Sequence, residues 1–89
     1  MSVVTYICNQ YASNVKQQSI EAVYKIIGER IVAGRKAKNI SQEQLATDSG
    51  IDRSHMGFIE QGRRKPTLST LFKIAQSLDI SLEQLFKDL

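Results

Sequence analysis

A single cysteine among 89 residues excludes an internal disulfide, and Cys8 on its own offers no metal-ligand spacing. Cys8 is therefore read as a small structural or surface residue in a reducing compartment. No apolar run approaches the ~20 residues of a membrane span, and the start MSVVTYICNQ has no basic leader before its apolar stretch. A soluble, unexported, cytoplasmic protein is expected. Histidine occurs once, at His55, and the neighbouring Asp52 and Ser54 leave a helix start in different directions, which argues against a catalytic triad. Glycine-rich phosphate loops, paired carboxylate sites, repeats and low-complexity tracts are all missing. The chain is read as no enzyme and as needing no cofactor or metal. What remains is one domain with a modest core, which an all-helical bundle can form at this length.

The most informative stretch is SQEQLATDSGIDRSHMGFIEQG, Ser41 to Gly62. Ser41 followed by Gln44 is a capping box that can satisfy two amide donors at a helix start, so a helix begins near Gln42. Leu45 and Ala46 face inward, and the small Ala46 lets another helix cross closely. Gly50 can take the left-handed exit, after which Ile51 folds back into the core. Asp52 caps a second helix in which Met56 and Ile59 share the inward face, leaving Arg53, Ser54 and Gly57 on the other side. Gly62 ends it, and Arg63, Arg64 and Lys65 follow. Two short capped helices joined in this way make a helix-turn-helix.

Charge is distributed to match. The net charge is only +3, yet residues 30 to 66 hold eight bases (Arg30, Arg35, Lys36, Lys38, Arg53, Arg63, Arg64, Lys65) against four acids (Glu43, Asp48, Asp52, Glu60). The flanking segments are neutral or slightly acidic. A basic surface over the two helices fits contact with phosphates; a merely solvated face is the bland alternative.

Outside this stretch, Val3 to Ile7 could form a short strand, which would need a partner. Asn9 to Ser19 is polar and reads as a loop or frayed lead-in. A first helix is expected from Ile20 to Lys38, with Val23, Ile27, Ile31 and Arg35 on one stripe, and Asn39 can take the left-handed exit before Ile40. Thr67 can cap a fourth helix with Leu68, Leu71, Ile74, Ala75 and Leu78 as its apolar stripe. Asp79 and Ile80 turn the chain, and Ser81 with Gln84 is a second capping box opening a fifth helix.

From Ile27 to Phe86, about two thirds of the chain, the sequence resembles the phage-repressor and Cro-like (XRE) DNA-binding family. The resemblance is carried by IGERI, RKAKNISQEQLA, SGIDRSHMGFIEQGRRKPTLSTL and LDISLEQLF, in the family's order and spacing. DRSHMGFIEQG further resembles the restriction–modification controller subgroup. The implied fold class is all-α, a five-helix lambda-repressor-like domain over 21–89 with a short extension, 1–20. The resemblance also implies a buried structural ion pair between Arg35 and Glu60. Gly34 departs from the family, which usually has leucine there. A helical glycine costs ~1 kcal/mol relative to alanine and leaves a hole, so Tyr6 or Ile7 of the extension is expected to pack over it.

The function implied is sequence-specific transcriptional regulation on double-stranded DNA. Base readers are taken from the exposed start of the second helix of the motif: Arg53, Ser54, His55 and Gly57. Arg53 leads because its fork can bond guanine O6 and N7 together, with a phosphate contact or an Asp52 ion pair as its alternatives. Ser54 could serve only as a cap. Phe58 replaces a polar residue and is read as packing, with a thymine methyl as the other option. Phosphate is assigned to Ser41 and Gln42 at a helix N-terminus and to Arg63, Arg64 and Lys65. A homodimer on an inverted repeat is expected, with Leu82, Leu85, Phe86 and Leu89 as its contact or, alternatively, the extension. A Cro-like phage repressor and an antitoxin or protein-interaction module are the competing functions.

Overall fold

Each helix among the described residues begins on a side-chain oxygen. In the computed structural model, which describes residues 19–89, Ser19, Ser41, Asp52, Thr67 and Ser81 accept from backbone amides of the turn that follows them. The helices so started are α1 (Ile20–Ala37), α2 (Gln42–Ser49), α3 (Arg53–Glu60), α4 (Leu68–Ser77) and α5 (Leu82–Phe86). Among the described residues the fold is all-α.

The first four helices also end alike. Asn39, Gly50, Gly62 and Asp79 have positive φ, and the amide of the next residue bonds back to a carbonyl five residues earlier. These bonds run from Ile40 to Arg35, Ile51 to Ala46, Arg63 to Phe58 and Ile80 to Ala75, at 2.9–3.1 Å. This is the Schellman exit. Three times the residue after the turn is an isoleucine, and Ile40, Ile51 and Ile80 each pack on the core.

That core is filled by Ile27 and Ile31 of α1, Leu45 and Ala46 of α2, Met56 and Ile59 of α3, Leu71, Ile74 and Leu78 around α4, and Leu85 of α5. In the resulting arrangement α1 packs on α3 and α5, α2 packs on α3 and α4, and α4 packs on α5. Arg30 of α1 donates to the Leu85 carbonyl at 3.1 Å, fastening the last helix to the first.

Four sequence expectations need correction. The box at Ser41 is half formed: Ser41 accepts from the Gln44 amide, but the Gln44 side chain donates to Asp48 Oδ1 at 2.7 Å instead of returning to the cap. Only Ser81 and Gln84 complete the reciprocal pair. Leu68 is 62% exposed, because the first residue of α4 reaches the rim of an apolar cleft shared with Ile20, Tyr24, Pro66 and Phe86. Leu85, expected on a dimer surface, is fully buried, since α5 lies against both α1 and α4 and that residue points between them. The hole at Gly34 is occupied from within the domain: a Cβ there would meet Leu78 Cδ1 at 3.2 Å. The strand at Val3 to Ile7 and the packing of Tyr6 or Ile7 lie outside the described residues.

The glycine that matters for the fold is Gly28. A Cβ on it would stand 2.5 Å from the Glu60 carbonyl oxygen and 2.7 Å from that of Ile59, so α1 crosses the end of α3 backbone against backbone. Gly28→Ala should thus destabilise the domain by roughly 2–3 kcal/mol despite its better helix propensity. Gly34→Ala meets only a side-chain tip and should stay within about 1 kcal/mol of wild type. Urea denaturation of the two variants checks the contrast; equal effects would contradict the backbone contact at Gly28.

Candidate nucleic-acid interface

Asp52 spends its carboxylate on the amides of Ser54 and His55, at 3.1 and 3.4 Å, which starts α3 and turns its first side chains outward. Arg53, Ser54 and His55 are all exposed. Arg53 has no ion-pair partner among the described residues. The opposite face, Met56 and Ile59, is buried. Hydrophobic burial therefore fixes which side of α3 meets solvent.

The outward face carries two shallow clefts. Gln42, Arg53, Ser54, Gly57, Phe58 and Gln61 line one, and Asp52, Ser54, His55, Phe58 and Arg64 line the other. Ser54 and Phe58 form the ridge between them. The structure thus gathers Arg53, Ser54 and Gly57 with Gln42 but sends His55 to the far side of the ridge. Gln61 was not singled out from sequence. Its signal was available, because 53, 57 and 61 follow one another at fours and so share a stripe.

Gly57 is half-buried, and the space a side chain would take is filled by Gln42, whose Oε1 would lie 3.4 Å from a Cβ. The close approach expected at this glycine is first of all an approach by the protein itself. Gln42 donates from Nε2 to Glu60 Oε1 at 3.0 Å. Its side chain is thereby tied to the buried carboxylate. Ser41 Oγ accepts from Gln44, as a cap must.

Beneath these residues lies the Arg35–Glu60 pair. Arg35 donates from Nε to Oε2 at 3.0 Å and from Nη2 to Oε1 at 3.1 Å, a two-pronged contact, and its Nη1 reaches the Ile40 carbonyl at 3.2 Å. The Glu60 side chain is only 4% exposed and that of Arg35 17%. A carboxylate so buried needs every one of these donors. No buried side-chain polar atom among the described residues lacks a partner.

The basic loop divides. Arg63 and Arg64 are exposed and gather at Phe58. Lys65 turns back to Glu21 at 3.4 Å. The Glu21 carboxyl is held below its ordinary pKa first by a hydrogen bond from its own backbone amide and then by Lys65. Among the described residues no group of acids, histidines or cysteines could hold a metal ion, and no helix is long and apolar enough to cross a membrane.

Comparison with known proteins places this geometry. The helix-turn-helix family model matches residues 31–85. The control protein C.SmaI of Serratia marcescens is 40% identical over 63 residues, 71% of this chain and 75% of the relative. C.MunI, a control protein of Mycoplasma sp., is 38% identical over 63 residues, 70% of this chain and 85% of the relative. The crystal structure of the restriction–modification controller protein C.AhdI from Aeromonas hydrophila superposes with a TM-score of 0.71 at 43% identity. That match covers 73% of this chain and 98% of the other.

Because Glu60 is buried, losing Arg35 alone should be severe. Arg35→Leu is expected to cost about 3–5 kcal/mol, whereas the double variant Arg35→Leu/Glu60→Leu should recover most of that loss, since no unpaired charge remains. Chemical denaturation of both variants reads the difference. A double variant no more stable than the single one would show that the pair supplies net stability rather than mutual neutralisation.

Proposed function

This chain belongs to the helix-turn-helix family of DNA-binding transcriptional regulators, which are not enzymes, and from that premise we propose that it acts as a restriction–modification controller protein. On this reading residues 21–89 are the DNA-binding domain and 1–20 an extension outside it. The observation that carries the proposal is the exposed start of α3, with Arg53 and Ser54 projecting from a helix whose other end is locked by Arg35, Glu60 and Gln42. A rigid helix with free polar side chains at its N-terminal turn is what major-groove reading requires.

Arg53 is the principal reader, its fork bonding O6 and N7 of a guanine, with Ser54 beside it and His55 reaching the adjoining base or backbone. Gly57 lets Gln42 close against α3. The amides at the start of α2, with Ser41 and Gln42, take one phosphate; Arg63 and Arg64 take the other flank, with Lys65 behind them.

One such module covers too little DNA for strong discrimination, so a dimer is proposed. Support comes from the apolar surface around α5. Leu82, Phe86 and Leu89 are half-buried, and Phe86 shares its cleft with Ile20 and Leu68, which are 51% and 62% exposed. Leu85 acts from inside, holding α5 in place.

Two experiments test this reading. Arg53→Ala should make binding indifferent to one guanine in each half-site, losing about 1–3 kcal/mol of discrimination, while the thermal transition stays near wild type. Equal weakening on cognate and random DNA would make Arg53 a phosphate contact instead. For the dimer, the two copies of α3 should sit about one DNA turn, roughly 34 Å, apart, so footprinting should show an inverted repeat. A single unpaired half-site, with a monomer in the ultracentrifuge at micromolar concentration, would refute it. Tight binding to a neighbouring gene product without affinity for any duplex would favour an interaction module.

A further inference from the structure

Phe58 is the only phenylalanine or tyrosine on α3, and it lies half-buried on the outward face as a wall of both clefts. Both arginines beyond the Gly62 turn come to it. The guanidinium carbon of Arg63 stands 5.2 Å from the ring centroid and that of Arg64 5.4 Å, within the reach at which the negative face of a ring attracts a cation. No carboxylate pairs with either arginine among the described residues. Arg63 has one long hydrogen bond, from Nη1 to Gln61 Oε1 at 3.5 Å. Two adjacent exposed arginines repel each other and have many rotamers, so without a shared attractor they would spread apart.

We propose that Phe58 is a positioning residue: its ring holds the Arg63 and Arg64 guanidiniums together, beside the end of α3, as a preformed clamp for a DNA backbone phosphate. The inference rests on the DNA-binding reading above and adds to it a residue that makes no hydrogen bond to DNA. The chemistry is compatible with double duty. A ring attracts the flat face of a guanidinium, while the N–H donors radiate in its plane and stay available to phosphate oxygens. Holding the side chains in place beforehand reduces the ordering that binding must impose. Lysine, with no flat face, would keep the charge and lose the arrangement.

The test uses a random-sequence duplex of about two helical turns, titrated by fluorescence anisotropy, with each variant first shown to keep its thermal transition. Phe58→Leu keeps apolar bulk and removes the ring; it should weaken binding about five- to tenfold, whereas Phe58→Trp should remain within about twofold of wild type. In an Arg63→Ala/Arg64→Ala background, Phe58→Leu should change nothing further. Wild-type binding by Phe58→Leu, or a loss that persists without the two arginines, overturns the proposal. A second readout needs no DNA: proton–nitrogen NMR spectra of the free protein should show the Nε–H signals of Arg63 and Arg64 moving when Phe58→Leu removes the ring current. Unmoved signals overturn the clamp even if the protein binds DNA, while no wild-type affinity for any duplex overturns the DNA-binding reading itself.

Discussion

Arg35 lays two nitrogens of its guanidinium against Glu60 at a point where α1, α2 and α3 meet, and the orientation of α3 follows from that contact. α3 has eight residues, well short of the ~12–15 at which an isolated helix begins to hold together, so its geometry must come from its neighbours. Its C-terminal turn is gripped at several points. Gly28 lets α1 touch the Glu60 and Ile59 carbonyls, and Gly62 sits so close to Lys25 that a Cβ would be 2.7 Å from its Cα. Gln42 adds a bond from α2 to the same carboxylate. The N-terminal turn is held by the Asp52 cap and by Met56 in the core, and its outward side chains Arg53, Ser54 and His55 stay exposed. One end of the helix is thus a fixed mount and the other a free tip, the division of labour a reading helix needs.

The same contact explains why the charge of Glu60 is retained at a buried position. Both Glu60 oxygens accept from Arg35 and Oε1 accepts from Gln42 as well, so the carboxylate records the relative placement of three helices, where an apolar pair would tolerate sliding. Gln42 is at once a partner of that carboxylate and a lining residue of the cleft beside Arg53. A single side chain separates the scaffold from the exposed face of α3.

What could be read from sequence follows the range of the interactions. Caps and exits act within five residues, and Ser41, Asp52, Thr67 and Ser81, like Asn39, Gly50 and Gly62, carry their chemistry locally. The inward faces of α2 and α3 were legible for the same reason, as their periodicity is that of one helix. Errors arose where the answer lay on a distant segment. Gly34 looks anomalous in sequence, but Leu78 fills its space; Gly28 attracts no notice, yet it bears the backbone crossing. Leu68 and Leu85 are equally apolar on paper and end as 62% exposed and fully buried, because only the placement of α5 across α1 and α4 distinguishes them. Gln44 had two possible partners at helical spacing, and it took Asp48 in place of its own cap.

Charge shows the gap between composition and surface most clearly. Of the eight bases between residues 30 and 66, four are tied to carboxylates or backbone carbonyls: Arg30 to the Leu85 carbonyl, Arg35 to Glu60, Lys38 to the Ser77 carbonyl and Asp79, and Lys65 to Glu21. Lys36, Arg53, Arg63 and Arg64 are the remainder, and three of these flank α3, one before its first turn is complete and two just beyond its last. A count along the sequence describes a broad basic stretch, whereas the fold leaves three of its four remaining bases at the two ends of one helix. Arg53, Arg63 and Arg64 enter no ion pair among the described residues, so on the DNA-binding proposal the same arginines would both attract a duplex and contact it. On that proposal steering and docking would act through one set of side chains, so the way these arginines are held would bear on both the rate and the register of binding.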